Sequence, residues 1–458
     1  MITMEDFLQI DLPALLSAMF ACVACGVLGN LLVLRRQSLM GDAVAHVVLP
    51  GIVVAFLLSG SRSPWVMVLG ATISSLVAVV LIDTIRRFGR LESGASMGVV
   101  FSILFALGVV LLEQAALENV DLDADCVLYG QLEDIMWLTP TSLGSLLTGE
   151  AWSDAPREMV TLGVLTLVSL AFVVVFFKEL AITMFDGALA TTQGIHAGLV
   201  RTVSMVLIAI AAVTSFEAVG SILVIAMFIC PAATARMMTD RLRTQLVLSV
   251  LIAGWTGLAG YVLAAFGPMV AHSWGLIEWN HSLLASGMIA TLGGVQVALA
   301  IVLAPRHGVV SRWLRTMGLA VQVAREDLLA LLYRAEESGS GSVEADAAFG
   351  AVRAGVGSKL ATRLALRQTR RRGLVRSDGG RLELSEDGRV VARGLVRTHR
   401  QWESYLVSEL GLRPDHVHRP AMDLEHVTDE RMHEELDRRA GDVDPHGKPI
   451  PRTGESAG

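Results

Sequence analysis

The sequence predicts an all-α polytopic membrane protein of about eight or nine transmembrane helices, followed by a soluble domain with a winged-helix layout. Three observations support this fold class. Residues 1–305 contain 33 charged side chains, whereas the remaining 153 residues contain 48. Long apolar runs recur throughout the first part. The second part reads as a helix, a very basic helix and a hairpin. We therefore assign residues 1–305 to a membrane domain.

The apolar runs are each near 20 residues, the length that a helix needs to cross about 30 Å of hydrocarbon. The first run is about 23 residues long, so we expect it to span the membrane rather than to act as a short cleavable signal. The runs at 43–60 and within 200–235 are short for membrane-spanning helices, so the predicted number of transmembrane helices is eight or nine. The runs lie at 12–34, 43–60, 64–85, 94–113, 159–177, 200–215, 218–235, 245–266 and 280–304.

The charges between the runs predict an orientation. Basic residues such as Arg35, Arg86, Lys178 and Arg241 fall in alternate loops, and the other loops are acidic, notably 118–134. Because cytoplasmic loops carry the excess of Lys and Arg, the N-terminus is expected outside and the C-terminal region in the cytosol.

Two polar residues stand in the second apolar region. Asp42 and His46 are four residues apart, so they share one face of a helix. An acid inside a membrane helix costs about 2.5–3.5 kcal/mol and usually faces a pathway or a partner. A carboxylate and an imidazole together suit a divalent transition metal ion. The alternative is that Asp42 caps the helix and His46 is an ordinary core histidine.

Other features of this half allow two interpretations each. The segment Met184–Thr202 is either a short cytosolic helix that docks on a partner subunit or an ordinary connecting loop. Gly220 and Pro231 predict a broken or kinked helix, which suits either a pathway or simple packing.

Cys22 and Cys25 form a CxxC inside an apolar helix, and we expect ordinary helix residues there. None of the three lysines completes a GxxxxGK[ST] phosphate loop, so we expect no ATP site on this chain.

Four stretches of this half, SLMGDAVAHVVLPGI, DLDADCVLYG, FDGALATTQGI and FEAVGSILVIAMFICPAATA, resemble the permease subunits of ABC importers for manganese, zinc and iron. The resemblance covers about 1–305 and implies a transport subunit of the bacterial plasma membrane rather than an enzyme. It implies that Asp42 and His46 contact the metal in the translocation pathway. It also implies that residues 185–196 form the coupling helix for an ATPase, with Phe185, Asp186, Ala190, Gly194 and Ile195.

The same resemblance implies partners. These are a separate ATP-binding subunit, an extracytoplasmic metal-binding protein, a second permease copy in a homo- or heterodimer, and membrane lipid. The transported ion is expected to be Mn²⁺, with Fe²⁺ or Zn²⁺ as alternatives, because DLDADCVLYG is more similar to the manganese and iron branch.

The soluble half begins with an amphipathic helix, VAREDLLALLYRAEESG, and a Gly/Ser-rich break at 338–342. A basic helix at 361–375 precedes a hairpin with an Asp378-Gly379 turn signal. Residues 351–400 contain 13 Lys and Arg against 4 Asp and Glu. This excess of positive charge suits nucleic acid, anionic lipid or an acidic partner.

From about 325 to 452, including the closing DPHGKPIP, the chain resembles metal-dependent regulators of the diphtheria toxin repressor type. The resemblance implies a linker at 306–324, a winged helix at 325–398, and a metal-binding and dimerisation-like domain with its tail at 399–458. It implies two regulatory metal sites. The first would use Asp327, Met422, Glu425 and His426, and the second would use His399, Glu403 and His418. Such mixed ligands suit Mn²⁺ or Fe²⁺; the alternative is a solvated surface.

Two residues depart from that family's pattern. Met422 stands where related regulators have Cys or Glu, and Leu364 aligns with a base-reading glutamine. The sequence therefore does not favour DNA as a partner. The predicted function is the membrane subunit of a divalent-metal importer whose cytosolic domain senses metal. The alternatives are a membrane-tethered, metal-dependent transcription regulator and a secondary transporter without an ATPase.

Overall fold

The computed structural model describes residues 4–35, 37, 39–60, 63–89, 92–117, 130, 132–142, 144–145, 149–275, 278 and 281–451. These form two compact units, Met1–Ser311 and Arg312–Gly458. The predicted acidic motif DLDADCVLYG lies outside the described residues except for its last residue, Gly130.

The first unit is helical throughout its described secondary structure, which confirms the predicted polytopic class. Within the described residues, seven helices are long and apolar enough to cross a membrane, and the shorter apolar segments Pro50–Ser59 and Leu223–Met238 account for the two remaining predicted runs. The main helices are α1 (Leu12–Leu34), α2 (Leu39–Ser59), α3 (Pro64–Gly89), α4 (Ser93–Leu117), α5 (Arg157–Val175), α6 (Phe177–Phe185), α7 (Gly187–Thr192), α8 (Ala197–Val219), α9 (Ser221–Met238), α10 (Leu242–Ser273) and α11 (Ala285–Leu303).

Short helical turns complete the first unit, at Met4–Asp6, Phe7–Asp11, Leu132–Asp134 and Gly149–Ser153. The central helix α1 packs against α5, α9 and α10. Glycines permit this close approach, since a Cβ at Gly29 would lie 1.9 Å from the carbonyl oxygen of Phe228. Small residues at such crossings bring membrane helices into direct contact.

A buried polar cluster fastens α1 to α10. The amide of Asn30 donates to Oγ of Ser249 at 2.6 Å and to the carbonyl oxygen of Gly26 at 3.0 Å. Its own oxygen accepts a hydrogen bond from Nε2 of Gln245 at 3.0 Å. Because hydrocarbon offers no hydrogen bonds, this pairing is what makes a buried amide tolerable between membrane helices.

Helix α2 lies against α3 and α4 through a proline–glycine pair at its middle. A Cβ at Gly51 would lie 2.5 Å from the carbonyl oxygen of Gly70, and a Cβ at Gly108 would lie 2.8 Å from Cδ of Pro50. Pro50 stands inside the helix. Gly51 therefore lies at the close contact of α2 with α3, and Pro50 lies at its close contact with α4.

The chain changes from α8 to α9 at a single residue, Gly220, whose φ is 77°. A Cβ at Gly130 would lie 2.5 Å from the backbone nitrogen of Gly220, so these two glycines press together. The predicted break at Pro231 is not observed, because α9 continues through that residue to Met238. The break in the helical path is at Gly220.

The second unit contains a three-stranded antiparallel sheet in the order β1–β3–β2 and a set of helices, which supports the winged-helix layout in part. The hairpin turns at Gly379 and Gly380, both with positive φ, one residue later than the predicted Asp378-Gly379 turn. The elements are α12 (Val309–Glu337), β1 (Val343–Glu344), α13 (Ala345–Val356), α14 (Lys359–Arg371), β2 (Val375–Asp378), β3 (Arg381–Leu384), α15 (Glu386–Ser408), α16 (His418–Glu425) and α17 (Glu430–Arg439), with a 3₁₀ turn at Pro414–His416.

Residues 355–359, with the sequence GVGSK, join the helices α13 and α14 of this unit. Gly357 adopts the left-handed conformation that ends α13, and Ser358 caps α14 by accepting from the backbone N–H of Ala361 at 3.3 Å. The stretch predicted as a linker, 306–324, lies largely within α12, and the predicted boundary between 398 and 399 falls inside α15.

Candidate metal sites and coupling segment

The first cluster, Asp327, Met422, Glu425 and His426, forms where α12 and α16 meet. Nε2 of His426 lies 3.4 Å from Oδ1 of Asp327 and 3.7 Å from Oε1 of Glu425. One ligand atom from each of these three residues lies within 4.8 Å of the others. Helix α12 thus supplies one candidate ligand, and the C-terminal end of α16 supplies two.

Met422 lies at the same place. A Cβ at Gly355 would be 3.6 Å from Oδ2 of Asp327 and 3.9 Å from Cε of Met422, so the methionine is near the carboxylate. Met422 also precedes Glu425 by three residues on α16, which puts both on one helix face. The structure therefore brings Asp327, Glu425 and His426 together and places Met422 on the same side of α13 as Asp327.

Sequence reasoning missed a fifth residue, Glu326. Its Oε2 lies 2.7 Å from Nδ1 of His426, on the opposite side of the imidazole from Asp327. A carboxylate on the second ring nitrogen fixes the orientation and tautomer of a metal-binding histidine. Glu326 is thus suited to hold His426 in place, and the only sequence signal was its position next to Asp327.

The second cluster, His399, Glu403 and His418, lies between α15 and the start of α16. Nε2 of His399 is 3.1 Å from Oε1 of Glu403 and 3.0 Å from Nδ1 of His418. Nδ1 of His418 is 2.8 Å from the same Glu403 oxygen. His399 and Glu403 are buried, whereas the His418 side chain is 58% exposed. The cluster is therefore open to solvent on the His418 side.

The electrostatics of both clusters favour positive charge. Burial alone would lower the pKa of His426, but its contacts with Asp327 and Glu326 raise it to about 10. Burial alone would raise the pKa of Glu403, but hydrogen bonds from His399 and His418 lower it to about 2. A bound metal needs neutral imidazole and ionised carboxylate, so a cation that enters these clusters must displace protons.

The donor chemistry fits a divalent transition metal. Carboxylate and imidazole dominate both clusters, a thioether is added in the first, and cysteine is absent from both. Such O/N sets suit Mn²⁺ or Fe²⁺, whereas structural Zn²⁺ sites favour thiolates.

The predicted coupling segment, residues 185–196, contains a short capped helix of the first unit. The side chain of Asp186 accepts hydrogen bonds from the backbone N–H groups of Ala188 and Leu189 at 2.9 and 3.0 Å, which starts α7. Gly194 has a φ of 79°, and the N–H of Ile195 bonds the carbonyl oxygen of Ala190 at 2.9 Å. The motif residues therefore cap the helix at both ends.

Exposed apolar side chains lie at and just before this helix. On α7 itself Ala190 is fully buried and Leu189 is 48% exposed, and Phe185, the last residue of α6, is 71% exposed. A capped turn with two exposed apolar side chains is suited to dock on another protein.

Asp42 and His46 both lie in α2, which begins at Leu39. The helix thus begins before Asp42, and the two residues are placed on one face by their spacing. Their side chains lie outside the part of the chain whose side chains the structure describes.

Comparison with known proteins follows the division into two units. Residues 6–139 and 135–277 match the family described as "ABC 3 transport family". The chain belongs to the ABC 3 transport family. The residues matched to this ABC 3 family include α2 with Asp42 and His46, and the coupling segment.

The second unit of this ABC 3 family member matches a different description. Residues 385–452 match "Iron dependent repressor, metal binding and dimerisation domain". This range contains every cluster residue except Asp327. The predicted combination of a permease-like domain with a metalloregulator-like domain is thus confirmed.

Curated relatives are membrane proteins of metal transport systems. The manganese transport system membrane protein MntD of Bacillus subtilis is 36% identical over 65% of this chain and 93% of its own length. The zinc transport system membrane protein TroD of Treponema pallidum is 34% identical over 83% of this chain and 98% of its own length. A probable metal transport system membrane protein of Chlamydia trachomatis is 26% identical over 98% of both chains. The last similarity extends over both units.

Proposed function

We propose that this chain is the membrane-spanning subunit of an importer for divalent metal ions. Mn²⁺ is the first candidate substrate, and Zn²⁺ and Fe²⁺ are the alternatives. Its C-terminal domain binds metal and regulates the transport. The observation that carries this proposal is the pair of ligand clusters on the same chain as an ABC 3 membrane domain. The names of the manganese and zinc relatives support the choice of ions.

In this proposal the ion passes Asp42 and His46 on its way through the membrane domain. Their shared helix face supports this role, as does the position of α2 between α3 and α4. A carboxylate and an imidazole are donors that a partly dehydrated Mn²⁺ accepts.

Energy for transport comes from a separate ATP-binding subunit that docks on the coupling segment. The exposed Phe185 and Leu189 and the two capped ends of α7 support this docking. The remaining partners are an extracytoplasmic metal-binding protein, which delivers the ion, and a second permease copy. The basic loops support a cytosolic location for the coupling segment and for the C-terminal domain.

The regulatory part of the proposal is a feedback loop. When cytosolic metal is plentiful, both clusters fill and transport slows. The test is Mn²⁺ uptake by cells preloaded with manganese, comparing wild type with His399→Ala. His416→Ala is the matched control, because His416 is an exposed histidine on the neighbouring 3₁₀ turn. We expect the His399 variant to keep importing at high internal manganese; shut-off identical to wild type would contradict the proposal.

One observation favours the alternative of a membrane-tethered transcription regulator. The helix α14 occupies the position of a recognition helix and carries several exposed arginines. Leu360 and Leu364 are also exposed there, at 48% and 40%, and neither side chain can hydrogen-bond a base edge. A gel-shift with the full chain in nanodiscs and Mn²⁺ distinguishes the two, since sequence-specific DNA binding would favour the regulator.

A further inference from the structure

The first part of α12 exposes an apolar stripe. The stripe consists of Val309, Val310, Trp313, Leu314 and Met317, which recur at the spacing of one helix face. The first four are 55%, 39%, 53% and 57% exposed. The hydrophobic core of the second unit starts only later on this helix, near Ala324. The stripe thus belongs to a segment that the core of that unit does not explain.

The other side of the same segment carries two arginines together with the apolar Leu319. Arg312 and Arg315 are exposed and lie between the stripe residues in sequence, so helical periodicity places them on the opposite face. Tryptophan and leucine on one face with arginine on the other is the composition of helices that lie in the membrane interface. Tryptophan is itself enriched at the level of the lipid headgroups.

The start of α12 is held at the end of a membrane span. Helix α11 ends at Leu303, and Oγ of Ser311 donates to the carbonyl oxygen of Ala304 at 2.8 Å. A Cβ at Gly308 would lie 2.4 Å from that same oxygen, so the turn is tight. The stripe therefore begins within one tight turn of the end of a helix that is long and apolar enough to cross a membrane.

A second tie holds the turn to the neighbouring loop. Nε2 of His307 lies 2.7 Å from Oδ1 of Asp240, and Nη1 of Arg306 lies 3.2 Å from its Oδ2. Asp240 follows α9 directly after Thr239. Within the first unit, the turn after α11 is thus tied to the loop after α9.

We propose that residues 309–319 of α12 lie in the bilayer interface and bind anionic phospholipid through this stripe. The apolar side chains enter the boundary between headgroups and acyl chains, and Arg312 and Arg315 reach the lipid phosphates. The covering partner is lipid rather than a second copy of the chain, because the stripe is continuous with the end of a membrane span and is accompanied by arginines.

The position of this segment links lipid to the regulatory domain. The same uninterrupted helix carries Glu326 and Asp327 beside the first cluster. Thirteen residues separate Leu314 from Asp327, which is about 20 Å along a helix. The lipid contact therefore anchors one of the two helices that build that cluster.

The test uses the full chain in vesicles with a photoreactive amino acid, p-benzoylphenylalanine. It is placed at position 313 or, as the matched control, at 319. Leu319 is 56% exposed on the same helix but lies outside the stripe. Vesicles contain phosphatidylcholine alone or with phosphatidylglycerol, and lipid adducts are counted by mass spectrometry.

We expect at least five-fold more lipid adducts from position 313 than from 319, and a higher yield when phosphatidylglycerol is present. Equal yields at the two positions, or crosslinks from 313 mainly to a second protein chain, would overturn the proposal. Equal yields in the two lipid mixtures would overturn the choice of anionic lipid.

Discussion

Nδ1 of His399 lies 2.6 Å from Oε2 of Glu425, so a residue of the second cluster hydrogen-bonds a residue of the first. The other oxygen of Glu425 lies 3.7 Å from Nε2 of His426. One buried carboxylate therefore touches both clusters, and the two sites are expected to fill interdependently.

The change Glu425→Gln is expected to weaken Mn²⁺ binding at both clusters. The first loses a direct ligand and the second loses a partner that orients His399; such outer partners alone are worth about 10–100-fold in metal affinity. Calorimetric titration of the full chain in detergent measures the effect. Glu434→Gln, at an exposed position on α17, is the control, and two undisturbed sites in the Glu425 variant would refute the shared role.

The change Glu326→Gln is expected to weaken the first cluster while leaving the second near its normal affinity. Gln retains the size of the side chain but loses the charge that orients His426. Electron paramagnetic resonance of bound Mn²⁺ checks both number and environment of the sites. If the spectrum and the Mn²⁺ affinity equal those of wild type, Glu326 does not orient His426 for metal binding.

Asp42→Asn and His46→Gln are each expected to reduce uptake to less than about a tenth of wild type, because loss of a direct ligand should cost at least as much as loss of an outer partner. Uptake of radioactive Mn²⁺ at equal membrane expression is the measurement. Asp346→Asn, an exposed acid of α13, serves as the control. Wild-type uptake by both pathway variants would remove these residues from the pathway.

Gly194→Ala is expected to impair coupling, because a side chain at its φ of 79° costs about 1–2 kcal/mol. Gly187→Ala is the matched control, since a Cβ added at Gly187 would meet no atom within 4 Å and its φ is not positive. Metal-stimulated ATP hydrolysis by the reconstituted complex measures the outcome. Equal rates for the two variants would argue against a coupling role for the capped helix.

Gly29→Ala is expected to destabilise the membrane domain by about 1–3 kcal/mol, the usual cost of overpacking. A Cβ at position 29 would meet the backbone of Phe228. A Cβ at Gly294 would have no atom within 4 Å, so Gly294→Ala is the control variant. Thermal unfolding in detergent compares the two. If Gly29→Ala is as stable as Gly294→Ala, then α1 and α9 can move apart at this crossing without a loss of stability.

The apolar helices were predictable because hydrophobicity is a local property that sequence displays directly. Helix ends were harder, since polar residues continue a helix beyond its apolar run; α2 thus begins at Leu39 rather than near 43. The stretch 306–324 was expected to be a linker because it lies between the two regions that resemble known families, yet amphipathic spacing makes most of it helix α12.

The ligand sets of both clusters were predictable from residue types and from resemblance. Their geometry was not, because the contact of His399 with Glu425 joins residues 26 positions apart through the packing of α15 on α16. Glu326 was missed for a related reason. An acid beside another acid on a helix is ordinary in sequence, and the contact with His426 joins residues 100 positions apart.

The close approach of Gly130 to Gly220 has a mechanical consequence. Helix α8 ends and helix α9 begins on either side of one residue, Gly220, and the backbone of Gly130 lies directly against that joint. Neither glycine has a side chain to act as a cushion between the two backbones. A change in the angle between α8 and α9 at Gly220 would therefore have to displace the backbone of Gly130.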